Sequence, residues 1–270
     1  MAVKSTDLEN GIRLIQFSGE SATQSFSREF LPHIAQAIDA GLTHPNVRAL
    51  VLTGEGKFFS AGADINAFAQ SIEDKEAPQL IRDLTGILHP LLIRMRQSPT
   101  ITIAALNGAS AGGGLGLALA CDARIASPQA KMAASYAGMG LSPDGGTTWL
   151  LPRLVGEQTS RRFFLENEIW SAEQCVAVGA ADALVEADTL IDAACSMAAR
   201  WSQWGEHTKE ATKHLLHVQS AQDFESHLNH ERTLIEAAGT TEAFKEGVTA
   251  FFEKRKPCLL YTSDAADEED

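Results

Sequence analysis

Apolar and polar residues alternate from Gly11 to Phe17 (GIRLIQF), which is the period-two pattern of a strand with one buried face. Phe26 to Gly41 carries apolar residues at helical spacing, and Val47 to Gly54 (VRALVLTG) is a short β-branched run ending in glycine. The first predicts a helix and the second a buried strand. Ala77 to Gln97 again has helical spacing, with Pro90 implying a kink or break, and Ile101 to Leu106 reads as a strand running into a glycine cluster. Strands alternating with helices in this way predict an α/β domain with parallel strands and right-handed crossovers. From about Leu190 the pattern changes. Ile191 to Trp204 and Glu206 to Phe252 look helical throughout, as interrupted helices with weak apolar faces that need a core or a partner subunit to pack on. The organisation expected is therefore a core over 1–190, a helical region over 191–257, and a tail over 258–270 that continues no earlier pattern.

Composition narrows the function. At 270 residues, 44% hydrophobic and 21% charged, the chain has the make-up of an ordinary globular enzyme. The net charge is −13, and the chain stays acidic without the five acids of its last seven residues, Asp264, Asp267, Glu268, Glu269 and Asp270. An acidic surface argues against nucleic acid or an anionic membrane as partner. The four cysteines are scattered, with no C-x-x-C pair, and read as reduced packing residues of a cytoplasmic protein. His207, His214 and His217 lack a third fixed ligand partner and read as solvated helix histidines, so no metal site is expected.

Two small-residue segments each follow a predicted strand: Lys57 to Ile65 (KFFSAGADI) and Asn107 to Asp122 (NGASAGGGLGLALACD). Glycines opening a helix let a ligand approach the backbone and aim free N–H groups at one point. The cluster is not a dinucleotide fingerprint. A G-x-G-x-x-G/A motif starting at Gly112 or Gly114 meets Leu117 or Leu119 at its last position, and no phosphate-binding P-loop motif is present. Two loops giving one N–H each to a developing oxyanion fit better.

Together the two segments resemble the paired signatures of the crotonase superfamily, the enoyl-CoA hydratase/isomerase group. Further matching stretches follow in order, at 130–156 (AKMAASYAGMGLSPDGGTTWLLPRLVG), 170–185 (WSAEQCVAVGAADALV) and 244–257 (FKEGVTAFFEKRKP). The resemblance implies an α/β fold of the crotonase type: a spiral of ββα units with a helical C-terminal trimerisation region, assembling as a homotrimer or dimer of trimers. It implies an acyl-CoA substrate whose thioester oxygen is held by the backbone N–H groups of Ala63 and Gly113. The candidate substrate-binding residues around them are Ser60, Ala61, Gly62, Asp64, Ile65 and Gly112, with Tyr136, Leu141 and Pro143 beside the acid loop. No metal or redox cofactor is implied, coenzyme A being part of the substrate.

Departures from the family pattern are as informative. The hydratases of the group use two glutamates to activate and position water. By motif position these fall on Gly116 and Tyr136, neither of which is acidic. One acid remains in the neighbouring loop, Asp144 of SPDGGTTW. Its position matches the catalytic base of the Δ3,Δ2-enoyl-CoA isomerases and of ring-type isomerases of phenylacetate breakdown. Capping a helix that begins near Gly145 is the structural alternative. The expected activity is enoyl-CoA isomerisation with one aspartate moving the proton. A 4-chlorobenzoyl-CoA dehalogenase-like hydrolase, with Asp144 as nucleophile and His89 at the histidine position, is the second reading. An atypical hydratase and a non-catalytic crotonase-fold binding protein follow. The stretch SATQSFSREF at 21–30 lacks the asparagine-alanine-leucine signature common in the group, so coenzyme A contacts there are not carried over.

Overall fold

The run Ala49–Gly54 is apolar at nearly every position because it is buried on both faces, as expected of a central parallel strand flanked by other layers. The structure, a computed structural model, describes residues 3–259. Most of the expected tail, 260–270, lies outside the described residues. The strands are β1 (Val3–Leu8), β2 (Ile12–Phe17), β3 (Ala49–Gly54), β4 (Phe58–Ser60), β5 (Ile101–Leu106), β6 (Ala109–Ala111), β7 (Ala123–Ala126), β8 (Lys131–Ala133), β9 (Ile169–Ser171) and β10 (Ala183–Leu184). The helices are α1 (Glu20–Thr23), α2 (Leu31–Leu42), α3 (Ile65–Glu73), α4 (Ala77–Gln97), α5 (Gly113–Ala120), α6 (Thr147–Val155), α7 (Glu157–Leu165), α8 (Ala172–Ala177), α9 (Leu190–Ser202), α10 (Glu206–Val218), α11 (Phe224–Ala238) and α12 (Glu242–Glu253).

Two sheets form. The larger has the order β1-β2-β3-β5-β7-β10, parallel except for the antiparallel β1–β2 hairpin. The smaller has the order β4-β6-β8-β9, with β4, β6 and β8 parallel and β9 antiparallel to β8. Chain order interleaves them: β3 leads to β4, β5 to β6 and β7 to β8, so each ββ pair puts one strand in each sheet before a helix returns. This is the spiral of ββα units.

Strand alternation divides the core accordingly. On β3, Leu50 and Leu52 point with Phe17, Phe59 and Leu117 into the space between the sheets. Ala49 and Val51 point with Ile103 and Ile125 to the opposite face, which α9 covers with Leu190, Ala194 and Ala198. Helix α5 (GGLGLALA) is apolar all round and buried from Gly114 to Ala120, since it fills the interior and has no solvent side. Burial also pushes the Cys121 thiol at its end up to about 12, so that thiol stays protonated and packs as a small apolar group. Helix α10 is tied back to the sheet by Lys213, whose Nζ donates to the carbonyls of Met95 (3.2 Å) and Thr100 (2.9 Å) and to Asp122 Oδ2 (2.9 Å).

The structure refines three local readings. The helix expected from Phe26 begins at Leu31, with Pro32 in its first turn. The preceding segment forms α1 and a bridge between Phe26 and Ala63. Helix α4 runs unbroken through Pro90. Pro90 removes one backbone N–H donor, but the helical path continues on both sides of it. Asp144 is not a helix cap: α6 starts at Thr147 after Gly146, and it is the Asp144 backbone carbonyl, not its carboxylate, that accepts from Thr147. Among the described residues no helix is long and apolar enough to cross a membrane.

Candidate active site

Strands β4, β6 and β8 lie side by side in parallel, so the loops at their carboxyl ends emerge together, the usual place for a ligand in a parallel sheet. The loop after β4 carries Ala61 to Asp64. Its backbone is pinned by Ala61 N–H donating to Ala22 O (2.9 Å) and by Phe26 N–H donating to Gly62 O (3.0 Å). That pairing leaves the Ala63 N–H outside it. Gly62 has φ +87°, and a Cβ there would stand 2.6 Å from Ala111 O, so only glycine lets this loop meet the end of β6. On that neighbouring strand Gly112 leads into α5. Gly113 is the first residue of that helix, and its N–H has no acceptor within it.

Both loops open onto a cavity of about 420 Å³. Its walls are mostly apolar, with Phe26, Phe68, Ile81, Leu84, Leu88 and Met139 prominent, and Ala63, Gly113 and Asp144 lie on its lining. A larger furrow of about 540 Å³ runs between α2 and α4. It is open along its length, and its one acid, Asp39, is already paired with Arg94 (2.6 and 2.8 Å). The less open of the two combines an apolar wall with a few polar groups, which is the character of a substrate pocket.

The loop after β8 brings the acid. Tyr136 starts a tight turn in which its carbonyl accepts from Met139 N–H and Leu141 N–H, both at 3.0 Å. The chain then returns to place Asp144 beside the Tyr136 ring. Tyr136 Oη donates to Asp144 Oδ1 at 2.9 Å and lies 3.3 Å from the Asp144 carbonyl. Burial, and after it the negative charge of Asp144, push the Tyr136 phenol well above its usual range, so it is a neutral donor. On the other side, His89 Nε2 of α4 lies 4.0 Å from Asp144 Oδ2. Gly116 of α5 packs under this loop, and a Cβ there would be 2.5 Å from Gly145 O.

Of the residues singled out from sequence, Ala61, Ala63, Ile65, Gly112, Gly113, Tyr136, Leu141 and Asp144 line the cavity. Four do not. Ser60 is fully buried behind the loop, its Oγ donating to Ser25 Oγ (2.9 Å). Gly62 faces β6, and Pro143 lies off the lining. Asp64 is the N-cap of α3, its Oδ1 accepting from Asn66 N–H (2.9 Å). Asp64→Ala is therefore expected to lower stability by about 1 kcal/mol, a melting shift of about 2–4 °C, with Asp64→Asn retaining most of it. Thermal melts of the two variants check this. The sequence reasoning missed the α4 wall, although Ile81, Leu84 and Leu88 carry the helical spacing that makes one stripe. His214 meets His230 (Nε2 to Nε2, 3.2 Å) and His217 stacks on Trp149, and among the described residues no group of three or more ligand-type side chains is placed to hold a metal ion.

Comparison with known proteins agrees with this geometry. The sequence profile of the enoyl-CoA hydratase/isomerase family matches residues 7–259. The 1,2-epoxyphenylacetyl-CoA isomerase of Escherichia coli is 31% identical over 251 residues, covering 93% of this chain and 95% of that protein. The crotonyl-CoA hydratase of Syntrophomonas wolfei is 30% identical over 250 residues, covering 92% and 94%. The crystal structure of an enoyl-CoA hydratase from Polaromonas superposes with a TM-score of 0.86 at 29% identity, covering 95% of this chain and 99% of that one. A family match over nearly the whole described chain, with this fold and this pair of loops, leads to one conclusion: the chain belongs to the enoyl-CoA hydratase/isomerase family.

Proposed function

We propose that the protein isomerises enoyl-CoA thioesters, of the Δ3,Δ2 or ring type, using Asp144 as the single proton carrier. The observation that carries this reading is the contact between Gly116 and Gly145. The position of the first hydratase glutamate not only lacks a carboxylate but has no room for a side chain, because the acid loop has closed onto α5. Tyr136 occupies the second position, and its hydroxyl is spent on Asp144. What remains at the cavity is one carboxylate and two backbone loops. One carboxylate is enough to take a proton from the α carbon of a 3-enoyl-CoA and return it to the γ carbon, whereas adding water calls for a second positioned group. The negative charge that gathers on the thioester oxygen between these steps is met by the N–H groups of Ala63 and Gly113. Each preorganised donor of this kind is worth about 3–4 kcal/mol. No step of this shuttle draws on a metal or a redox cofactor.

The test is a panel of 3-enoyl-, 2-enoyl- and aromatic acyl-CoAs in deuterated water. The expected result is double-bond migration with deuterium entering at the α and γ carbons, and no appreciable hydration of 2-enoyl-CoA. Rapid hydration of 2-enoyl-CoA overturns the reading. The 4.0 Å approach of His89 to Asp144 favours one competitor, a hydrolase in which Asp144 attacks an aromatic acyl-CoA and His89 prepares water. That chemistry puts solvent oxygen into the product, which ¹⁸O-labelled water detects and a proton shuttle never produces.

A further inference from the structure

The two oxygens of Asp144 are in different surroundings. Oδ1 accepts the Tyr136 hydroxyl at 2.9 Å, while Oδ2 is turned toward His89 at 4.0 Å, where no hydrogen bond holds it. Tyr136 itself is fixed at both ends. Its backbone carbonyl anchors the turn to Leu141, its ring packs against Phe164 at 6.5 Å, and only 6% of the residue is exposed. The single hydroxyl proton is directed at Asp144, closest to the carboxylate Oδ1 at 2.9 Å, with the Asp144 backbone oxygen at 3.3 Å and the Thr147 hydroxyl also against it. A rigid, buried donor bonded to Oδ1 holds that oxygen in place and orients the carboxylate.

We propose that Tyr136 is a positioning residue that immobilises Oδ1 of Asp144 and leaves Oδ2 as the one oxygen that carries the proton. The inference rests on the isomerase reading and adds to it a division of labour within the carboxylate. Oδ2 takes the proton from the α carbon of the 3-enoyl thioester while the C–H electron pair moves into the carbonyl system, giving a dienolate with its charge on the thioester oxygen. The new O–H bond then breaks, the dienolate electrons return through the chain to bond the proton at the γ carbon, and the carboxylate is restored. Both transfers occur from one oxygen on one face of the substrate. Tyr136 does not exchange places with Asp144 as carrier, because its buried phenol keeps its proton.

Tyr136→Phe removes the hydroxyl and keeps the ring. A hydrogen bond to a charged acceptor predicts a fall in kcat of about 10- to 100-fold with KM held within about twofold. An unchanged kcat, or a raised KM with kcat kept, overturns the proposal. A second measurement needs no turnover. The chain has two tyrosines, Tyr136 and Tyr261, so 3-fluorotyrosine labelling gives a two-line ¹⁹F spectrum that Tyr136→Phe assigns. Asp144→Ala is expected to move the line assigned to Tyr136, and a Tyr136 line that stays put overturns the pairing. If the wild type isomerises no enoyl-CoA, the reaction is misassigned and the ¹⁹F result alone decides whether Tyr136 holds Asp144.

Discussion

Asp144→Asn is expected to lower kcat for 3-enoyl-CoA isomerisation by about 10²- to 10⁴-fold, the contribution typical of one positioned general base. KM should change little, because the substitution is nearly isosteric and leaves the rest of the cavity lining as it is. The asparagine carbonyl can still accept from Tyr136 Oη, so the turn from Tyr136 to Gly146 keeps its geometry. What is lost is the ability to take and return a proton. Exchange of the α and γ hydrogens for deuterium should fall in parallel with turnover, since both depend on the same transfer. Steady-state kinetics and exchange followed by NMR check the two together. A variant that isomerises as fast as wild type would falsify the assignment of Asp144 as the carrier.

Gly116→Glu, which puts a glutamate where the hydratases carry one, is expected to destroy activity and not to create a hydratase. The Cβ alone would sit 2.5 Å from Gly145 O and 3.1 Å from two further backbone atoms of Gly145, none of which is a flexible side-chain end. Relief requires the acid loop to move off α5. Overpacking of this kind destabilises by about 1–3 kcal/mol, and melting falls by about 2–4 °C for each kcal/mol. The effect on turnover is larger, because that loop carries Asp144, and displacing a reacting group by about 1 Å costs on the order of 10²-fold. Gly116→Ala should show the same signs more mildly. Melting curves with isomerase and hydratase assays on both variants decide the matter. A Gly116→Glu protein that hydrates 2-enoyl-CoA briskly shows that the loop yields and that the closure does not set the reaction.

The long elements were legible because their patterns are long. Strands β2, β3 and β5 and helix α4 span at least six residues each, enough for a period to declare itself. The smaller sheet was not legible, since β4, β6, β8 and β9 have three residues each and are specified by register with their neighbours, not by their own sequence. Strand β1 has little apolar patterning, being exposed along most of its length, and it forms through its hairpin with β2. At the site, Asp144 stood out as an acid in a loop poor in charge. The sorting of Ser60, Gly62 and Asp64 away from the cavity did not stand out. In a run of small residues, which ones face a ligand depends on how the backbone turns after β4. The apolar stripe of α4 was visible, but its destination depends on which loops it meets. The absence of a carboxylate at Gly116 was readable by counting. The closure over Gly145 was not, because it is a distance between two segments about thirty residues apart.

The two N–H groups proposed to meet the thioester oxygen belong to the main chain, and the first of the loops that carry them is pinned by other main-chain atoms, as where Phe26 N–H donates to Gly62 O. Asp144, Tyr136 and His89 are side chains borne on a different loop and a different helix. Point mutation alters side chains one at a time and leaves peptide groups as they are. Under the proposed chemistry, substituting a few residues opposite these loops changes which bond of a thioester is rearranged, while what steadies the thioester oxygen is inherited unchanged.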